Sequence, residues 1–182
     1  MSTRTLALAL LAAAALPLVQ DAAAQGTPAA ATAPVSAAFK ASTKQFAKNL
    51  TAAAEAMPAD KYGFKPTPAQ MSFGDVVAHL IQGNDYLCGA ISGTPAPQRS
   101  KIAATDTKDA LVARLKETFA FCDDALASLD DTKLAEQVPF FGGPRTRADV
   151  MNLTTGDFAD HYSQVAIYMR LNGLLPPTAK KQ

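Results

Sequence analysis

The chain has 182 residues, with 17 basic and 16 acidic side chains that give a formal net charge of +1 at pH 7. Charges of both signs are scattered along the sequence without a basic stripe, which argues against nucleic acid as a partner. The length that remains after an N-terminal targeting segment is enough for one domain with a hydrophobic core.

The first 24 residues have the three parts of a secretory signal peptide. Arg4 supplies the positive charge, residues 6–18 form the apolar run, and residues 22–24 make an A-x-A cleavage site. The apolar run is short for a transmembrane span, although a retained membrane anchor is the alternative. We therefore predict a protein secreted across the inner membrane into the periplasm, with no membrane attachment after cleavage. Residues 25–35 form a flexible leader.

Residues 36–177 contain four segments in which apolar side chains recur at helical spacing, and none of them shows the alternation of a strand. The first segment ends before Pro58. Residues 72–75 and 146–149 have the S/T-x-x-D signature of a capping box and open the second and fourth helices. Four amphipathic helices predict an all-α four-helix bundle. The predicted helix starts are residues 36, 72, 105 and 146, and residues 178–182 form a tail.

The chain has two cysteines, Cys88 and Cys122, and each lies in a predicted helix. In an oxidising compartment such a pair can form a disulfide that joins two neighbouring helices. The alternative is a pair of small, buried hydrophobic residues. Their spacing is not C-x-x-C, so thiol redox chemistry is not predicted.

The fourth helix carries the polar residues that point to chemistry. Asp157 and His161 are four residues apart, so they share one face of the helix. A period of 3.6 residues places both in an apolar stripe that consists of Val150, Leu153, Tyr168 and Leu171. An acid and an imidazole buried without a partner would be costly, and His79 in the second helix is the candidate partner.

His79, Asp157 and His161 would make a set of two histidines and one carboxylate. Such sets hold catalytic zinc or non-haem iron, and nickel and manganese are also compatible. The alternative is a boundary histidine and an Asp–His pair that only hydrogen-bond. Gly83 lies one turn after His79 and either allows a helix to approach closely or leaves room above the histidine.

Four further residues near this face are candidates for supporting roles. Asp160 and Gln164 could orient a ligand imidazole. Tyr86 and Tyr162 could line the pocket or donate a proton to a bound substrate. Packing or surface hydration is the alternative for each of them.

Several segments together resemble the DinB-like (damage-inducible) helical bundle family. They are Lys61-Tyr62-Gly63-Phe64-Lys65-Pro66-Thr67-Pro68, then Ser72-Phe73-Gly74-Asp75, Ala78-His79-Leu80, and residues 157–177 with His161-Tyr162 and Pro176-Pro177. The likeness extends from about Val35 to Pro177. It implies an up-down-down-up four-helix bundle, often a homodimer, with a divalent metal held by three histidines.

The implied ligands match this sequence at two positions and depart from it at the third. One histidine of the family comes from the second helix and matches His79. The H-x-x-x-H of the last helix supplies two more, of which the second matches His161 and the first matches Asp157. A carboxylate can still bind zinc, iron or nickel, so the implied set is His79, Asp157 and His161. A decayed site held by a histidine–aspartate hydrogen bond is the alternative.

The residues and the resemblance together predict an exported divalent-metal-binding bundle. Its expected activity is that of a metal-dependent hydrolase that acts through a metal-bound water on an unidentified small molecule. A transferase is the other enzyme class considered. Asp157 would be the third ligand or else the general base. The alternative is a metal-free helical binding or scaffold module in which Asp157 and His161 fix helix packing. The expected macromolecular partner is a second copy of the chain, in a homodimer.

Overall fold

The computed structural model of the protein describes residues 33–179. Its main elements are the helices α1 (Pro34–Ala56), α2 (Phe73–Ser92), α3 (Lys108–Leu126) and α4 (Arg147–Leu171), with the short strands β1 (Gln137–Val138) and β2 (Arg145–Thr146) before α4. The predicted signal peptide and most of the leader and tail lie outside the described residues. Within the described range, no helix combines the length and the apolar character that a bilayer span requires.

The predicted capping box at the start of α2 is confirmed. The Ser72 hydroxyl accepts a hydrogen bond from the Asp75 amide at 3.0 Å, and the Asp75 carboxylate accepts one from the Ser72 amide at 2.8 Å. At the start of α4, Thr146 caps the Asp149 amide at 3.2 Å, but the Asp149 carboxylate binds Arg145 instead of completing a box. Local capping chemistry therefore determines where both helices begin.

The other two helices begin at residues that differ from the predicted ones. Helix α3 starts at Lys108 instead of near residue 105, because Thr107 is its N-cap and accepts a hydrogen bond from the Ala110 amide at 3.3 Å. Helix α1 starts at Pro34 instead of Ser36. The reason is a cap from a distant part of the chain.

Asp131, in the connection between α3 and α4, caps the start of α1. Its carboxylate accepts hydrogen bonds from the amides of Val35 and Ser36, at 3.0 and 2.7 Å, and from the Ser36 hydroxyl at 2.6 Å. These bonds, above all the one from the Ser36 side chain, hold the pKa of Asp131 below its ordinary value. The free amides at the start of α1 thus obtain their acceptor from a residue that is distant in sequence but lies at the same end of the bundle.

Helices α2 and α3 are parallel neighbours. Asn84 donates a hydrogen bond to Thr118 at 3.0 Å, and one turn further along both helices Cys88 and Cys122 form a disulfide with their Cα atoms 5.2 Å apart. Both cysteines are completely buried, in a core cluster between the helices. The disulfide therefore joins α2 to α3 inside the hydrophobic core.

Helix α1 runs antiparallel to α3 and parallel to α4. Its ion pairs with α3 join Lys44 to Asp123 and Glu55 to Lys116, so the residue numbers run in opposite directions. With α4 they rise together: Phe39 and Met151 line one cavity, and the ring centres of Phe46 and Phe158 are 6.2 Å apart. Helices α1 and α2 consequently lie diagonally in the bundle, as do α3 and α4, and the helix directions are up-down-down-up, as the resemblance implies.

The expectation that the bundle contains no strand is wrong in one place. Strands β1 and β2 form a short antiparallel hairpin, in which Gln137 pairs with Thr146 and Val138 with Arg145. Its turn depends on Gly142 and Gly143, which have φ values of 78° and 137°. Two-residue strands are too short to show an alternating pattern, which is why the sequence did not predict them.

Candidate metal centre

Helices α2 and α4 bring His79, Asp157 and His161 together. One candidate ligand atom from each residue lies within 4.8 Å of the other two. The imidazole rings of His79 and His161 approach edge to face, with their centres 4.8 Å apart. The two residues of α4 are one turn apart, and His79 faces them from the neighbouring antiparallel helix, so three side chains distant in sequence form one cluster.

The cluster lies at the rim of the bundle and not in its interior, which corrects the expectation from the helical period. His161 is 6 % exposed, but the Asp157 side chain is 36 % exposed, and His79 is exposed. The predicted apolar stripe is also only half correct. Val150 and Tyr168 are buried, whereas 39 % of Leu153 and 59 % of Leu171 are exposed.

The difference arises because α4 packs against both α1 and α2. Its buried face follows Met151, Thr154, Phe158, His161 and Val165, a stripe rotated relative to the predicted one. His161 is inside this face, and Asp157 is at its edge. Sequence periodicity placed Asp157 and His161 on one face of α4 but misplaced the centre of the buried face.

His161 has one nitrogen in contact with Asp157 and one without a partner. Its Nε2 lies 3.2 Å from Oδ1 of Asp157. Its Nδ1 is buried and has no hydrogen-bond partner among the described residues. Burial by itself would lower the pKa of His161, but the Asp157 carboxylate, with smaller contributions from Asp160 and Gln164, outweighs burial and raises the pKa above its ordinary value.

The donor set fits a divalent cation in chemistry and nearly in size. Two imidazoles and one carboxylate are ordinary ligands of zinc, iron and nickel. Around a tetrahedral zinc ion the donors would be about 3.4 Å apart. The candidate atoms lie within 4.8 Å of one another, so small rotations of the exposed His79 and the half-exposed Asp157 would close the set.

The two residues expected to orient a ligand imidazole bind each other. Nε2 of Gln164 donates a hydrogen bond to Oδ2 of Asp160 at 2.8 Å. Both lie on α4 within one turn of His161, and their contribution to that histidine is the small rise in its pKa. The pair thus adds negative charge near the cluster.

The two tyrosines have contacts of their own outside the cluster, in agreement with the packing alternative. The Tyr162 hydroxyl donates a hydrogen bond to the Thr178 hydroxyl at 2.9 Å and accepts one from the Thr178 amide at 3.0 Å, so it fastens the C-terminal segment. The Tyr86 ring packs on Phe141, with the ring centres 4.5 Å apart. Tyr86 is seven residues beyond His79 on α2, which is about 10 Å along the helix.

Open space surrounds the cluster at two glycines. A Cβ atom at Gly83 would meet only Leu87 Cδ1, at 3.9 Å, and one at Gly156 would meet nothing within 4 Å. Gly83 therefore leaves room above His79 and does not serve close helix packing.

Further along, Phe141 in the hairpin loop is 65 % exposed. The sequence pattern did not indicate that this apolar side chain lies near α2.

The sequence of this fold matches that of a described family. The family model of the DinB superfamily matches residues 42–165, which contain all of α2 and α3 and most of α1 and α4. The chain belongs to the DinB superfamily. His79, Asp157 and His161 all lie in the matched DinB region.

Solved structures of DinB-like proteins have the same fold. One from Bacillus subtilis is 18 % identical, with a TM-score of 0.63 over 80 % of this chain and 99 % of that one. One from Bacillus cereus is 15 % identical, with a TM-score of 0.64 over 78 % of this chain and 95 % of that one. No curated protein is similar in sequence to this DinB chain. At these identities the likeness establishes the fold and leaves the reaction open.

Proposed function

We propose that this DinB protein binds one divalent metal ion through His79, Asp157 and His161 and is an exported metal-dependent hydrolase. The observation that carries the proposal is the convergence of three ligand-type side chains, whose candidate donor atoms lie within 4.8 Å of one another, with Nε2 of His161 3.2 Å from the Asp157 carboxylate. Two imidazoles and a carboxylate grouped in this way are a common donor set for a divalent ion. Zinc, nickel, iron and manganese are all compatible with the donors.

The three ligands have different freedom, which suits a site that must load its ion from solvent. His161 is held by the packing of α4, whereas His79 and Asp157 are at the rim. Their exposure leaves one side of the cluster open, and the space beside Gly83 and Gly156 adjoins it. A substrate can therefore approach without displacing the core.

A divalent ion held there would polarise a substrate carbonyl or phosphoryl group and lower the pKa of water, which is the chemistry of metal-dependent hydrolysis. Asp157 is the third ligand in this proposal, and its negative charge beside His161 favours a cation. If Asp157 is not a ligand, its carboxylate is the candidate general base, because it is the one acid in the cluster and is partly accessible.

The proposed export is supported by the disulfide between Cys88 and Cys122. Disulfides persist in oxidising compartments such as the bacterial periplasm and are rare in the cytosol. The predicted signal peptide agrees with this location.

A homodimer is also proposed, with α4 at the interface. Ile167 and Leu171 are one turn apart on α4 and are 53 % and 59 % exposed, and Leu175 beyond the helix is 60 % exposed. Light scattering on the protein as it elutes from a size-exclusion column would measure its molar mass. The variant Ile167→Glu should be monomeric at concentrations at which the wild type is dimeric, and a monomeric wild type would remove this part of the proposal.

The decisive experiment is the metal content of protein purified from the periplasm without an affinity tag, measured by mass spectrometry. We expect about one equivalent per chain in the wild type and none in His79→Ala. This variant is informative because His79 is exposed, so its replacement does not threaten the fold. Asp157→Asn removes the proposed third ligand. Asp160→Asn is its matched control, since both variants remove one negative charge from the same turn of α4. The control should retain the metal.

Metal content that is unchanged in His79→Ala and His161→Ala would overturn the metal proposal. So would wild-type protein that binds none of the four ions after incubation. That outcome would favour a metal-free helical module, in which the contact between Asp157 and His161 serves only packing. Hydrolysis is tested separately by the release of p-nitrophenol from its acetate and phosphate esters, with chelator-treated protein and His79→Ala as controls. Equal rates in all samples would remove the hydrolase assignment and leave the metal site standing.

A further inference from the structure

A trough of about 510 Å³ lies between α1 and α3, on the face of the bundle opposite the α2–α4 pair that holds the metal cluster. Its volume is within the range of small-molecule sites. Helix α1 contributes residues at spacings of three and four from Lys40 to Glu55, and α3 contributes a similar face from Lys116 to Leu126. We call this feature the α1–α3 trough.

Ion pairs between the two helices bridge the trough at two places, with Lys40 and Leu126 beyond the first of them. Lys44 binds Asp123 at 3.0 Å near one end, and Lys116 binds Glu55 at 2.5 Å at the other. Lys44 and Glu55 are eleven residues apart on α1, which corresponds to about 16 Å along the helix. The trough is therefore elongated.

The walls between these ends are apolar because small side chains face each other. Ala47 and Ala52 of α1 and Ala120 of α3 line the space, with Phe119 beneath them. Phe119 belongs to the hydrophobic core and is 6 % exposed. Alanines at these positions leave a gap that larger side chains would fill, and the gap has the surface that an alkyl chain requires.

The polar groups of the trough favour a negative charge at the Lys44 end. Lys48 has no ion-pair or hydrogen-bond partner among the described residues, and Lys40 donates only to the carbonyl oxygens of Ala127 and Leu129, whereas Lys44 is neutralised by Asp123. Next to them, Thr43 is 5 % exposed, and its Oγ1 is buried beneath the surface. The ammonium group of Lys48 is therefore the unpartnered polar group that a ligand in the trough can reach.

We propose that the α1–α3 trough binds a straight-chain fatty acid. The carboxylate lies at Lys48, and the alkyl chain lies along the alanines above Phe119. A carboxylate suits a lysine whose ammonium group has no partner, whereas a phosphate group is usually held by the fork of an arginine, and no arginine lines the trough in the described part of the chain. Binding here needs no metal ion, so it is independent of the proposed hydrolase activity.

The test is a calorimetric titration of dodecanoate, below its micelle concentration, into the full-length protein. Dodecanoate has an extended length close to the span of the trough. We expect one saturable site per chain and at least tenfold weaker binding of the uncharged dodecanol. Lys48→Gln should weaken dodecanoate binding about tenfold while leaving dodecanol unchanged. Lys101→Gln, the same change of charge outside the trough, should bind like the wild type.

A second variant tests the alkyl position without disturbing the core. Ala120 is exposed, so Ala120→Phe fills the trough and should abolish binding, whereas Ala113→Phe, at an exposed position of α3 outside the trough, should not. No saturable binding, or equal affinity in Ala120→Phe and the wild type, would overturn the proposal. Binding to phosphatidylglycerol vesicles without binding of dodecanoate would also overturn it, as would self-association through the trough that excludes dodecanoate.

Discussion

Loss of the disulfide between Cys88 and Cys122 should lower the free energy of unfolding by about 4 kcal/mol. The two cysteines are 34 residues apart. Loop-closure entropy for that length is about 12.6 cal/mol/K, or about 3.8 kcal/mol at 25 °C. Both sulfurs are fully buried between α2 and α3, so the thiols of the reduced protein would not be hydrated in the folded state. The loss is a large fraction of the total stability of an ordinary domain, about 5–15 kcal/mol.

Urea unfolding followed by circular dichroism would measure this loss, with the protein refolded in the presence or absence of a thiol reductant. With a urea slope of about 2 kcal/mol/M, the midpoint should fall by about 2 M when the disulfide is absent. The double variant Cys88→Ala/Cys122→Ala is the control, because its midpoint should not respond to the reductant. Equal midpoints for reduced and oxidised wild type would refute the loop-entropy argument. They would also remove the stability reason for placing the protein in an oxidising compartment.

Three other predictions test the packing, the capping and the ligand set. Gly74→Ala should destabilise the protein by about 1–3 kcal/mol, because the new Cβ would lie 2.9 Å from the Ala104 carbonyl oxygen. Gly83→Ala has room for its Cβ and should stabilise α2 by up to about 1 kcal/mol. Thermal unfolding of both variants measures the contrast. Hydrogen bonds from the Ser72 side chain and backbone lower the pKa of Asp75. Asp75→Ala should therefore be less stable than wild type above about pH 5, and the difference in stability should shrink as the pH falls below about 4. Urea titrations from pH 3 to 7 measure this difference. A constant difference would contradict this. Asp157→His should shift the metal preference from manganese towards nickel and zinc, which prefer imidazole, and chelator competition that shows the same preference in both proteins would exclude residue 157 as a ligand.

Sequence predicted the fold well wherever the deciding signal is local. The S/T-x-x-D segments at residues 72 and 146 are N-caps in the structure, and those helices begin one residue later. The start of α1 was missed because its capping carboxylate, Asp131, is 95 residues from Ser36. A helix whose first amides are satisfied across the fold leaves no signature beside its own first turn. The hairpin before α4 was missed for a related reason. Its strands are defined by their hydrogen-bonded pairing with each other and not by a pattern in the sequence of either strand.

The candidate site was predictable in its membership but not in its depth. Spacing placed Asp157 and His161 on one face, and the scarcity of histidine left His79 as the candidate partner. Where that face lies depends on α4 packing against two helices at once, which no single-helix pattern contains.

The resulting gradient of exposure bears on how the cluster would work. His161 is fixed in the core with an unpartnered Nδ1, Asp157 is at the edge, and His79 is in solvent. Because α4 alone positions two of the three groups, binding of an ion would join the exposed His79 of α2 to α4 and restrict that side chain. Mutation of His79 should therefore change ion affinity far more than stability, whereas mutation of the buried His161 should change both. This difference separates a working rim site from a polar pair that only packs.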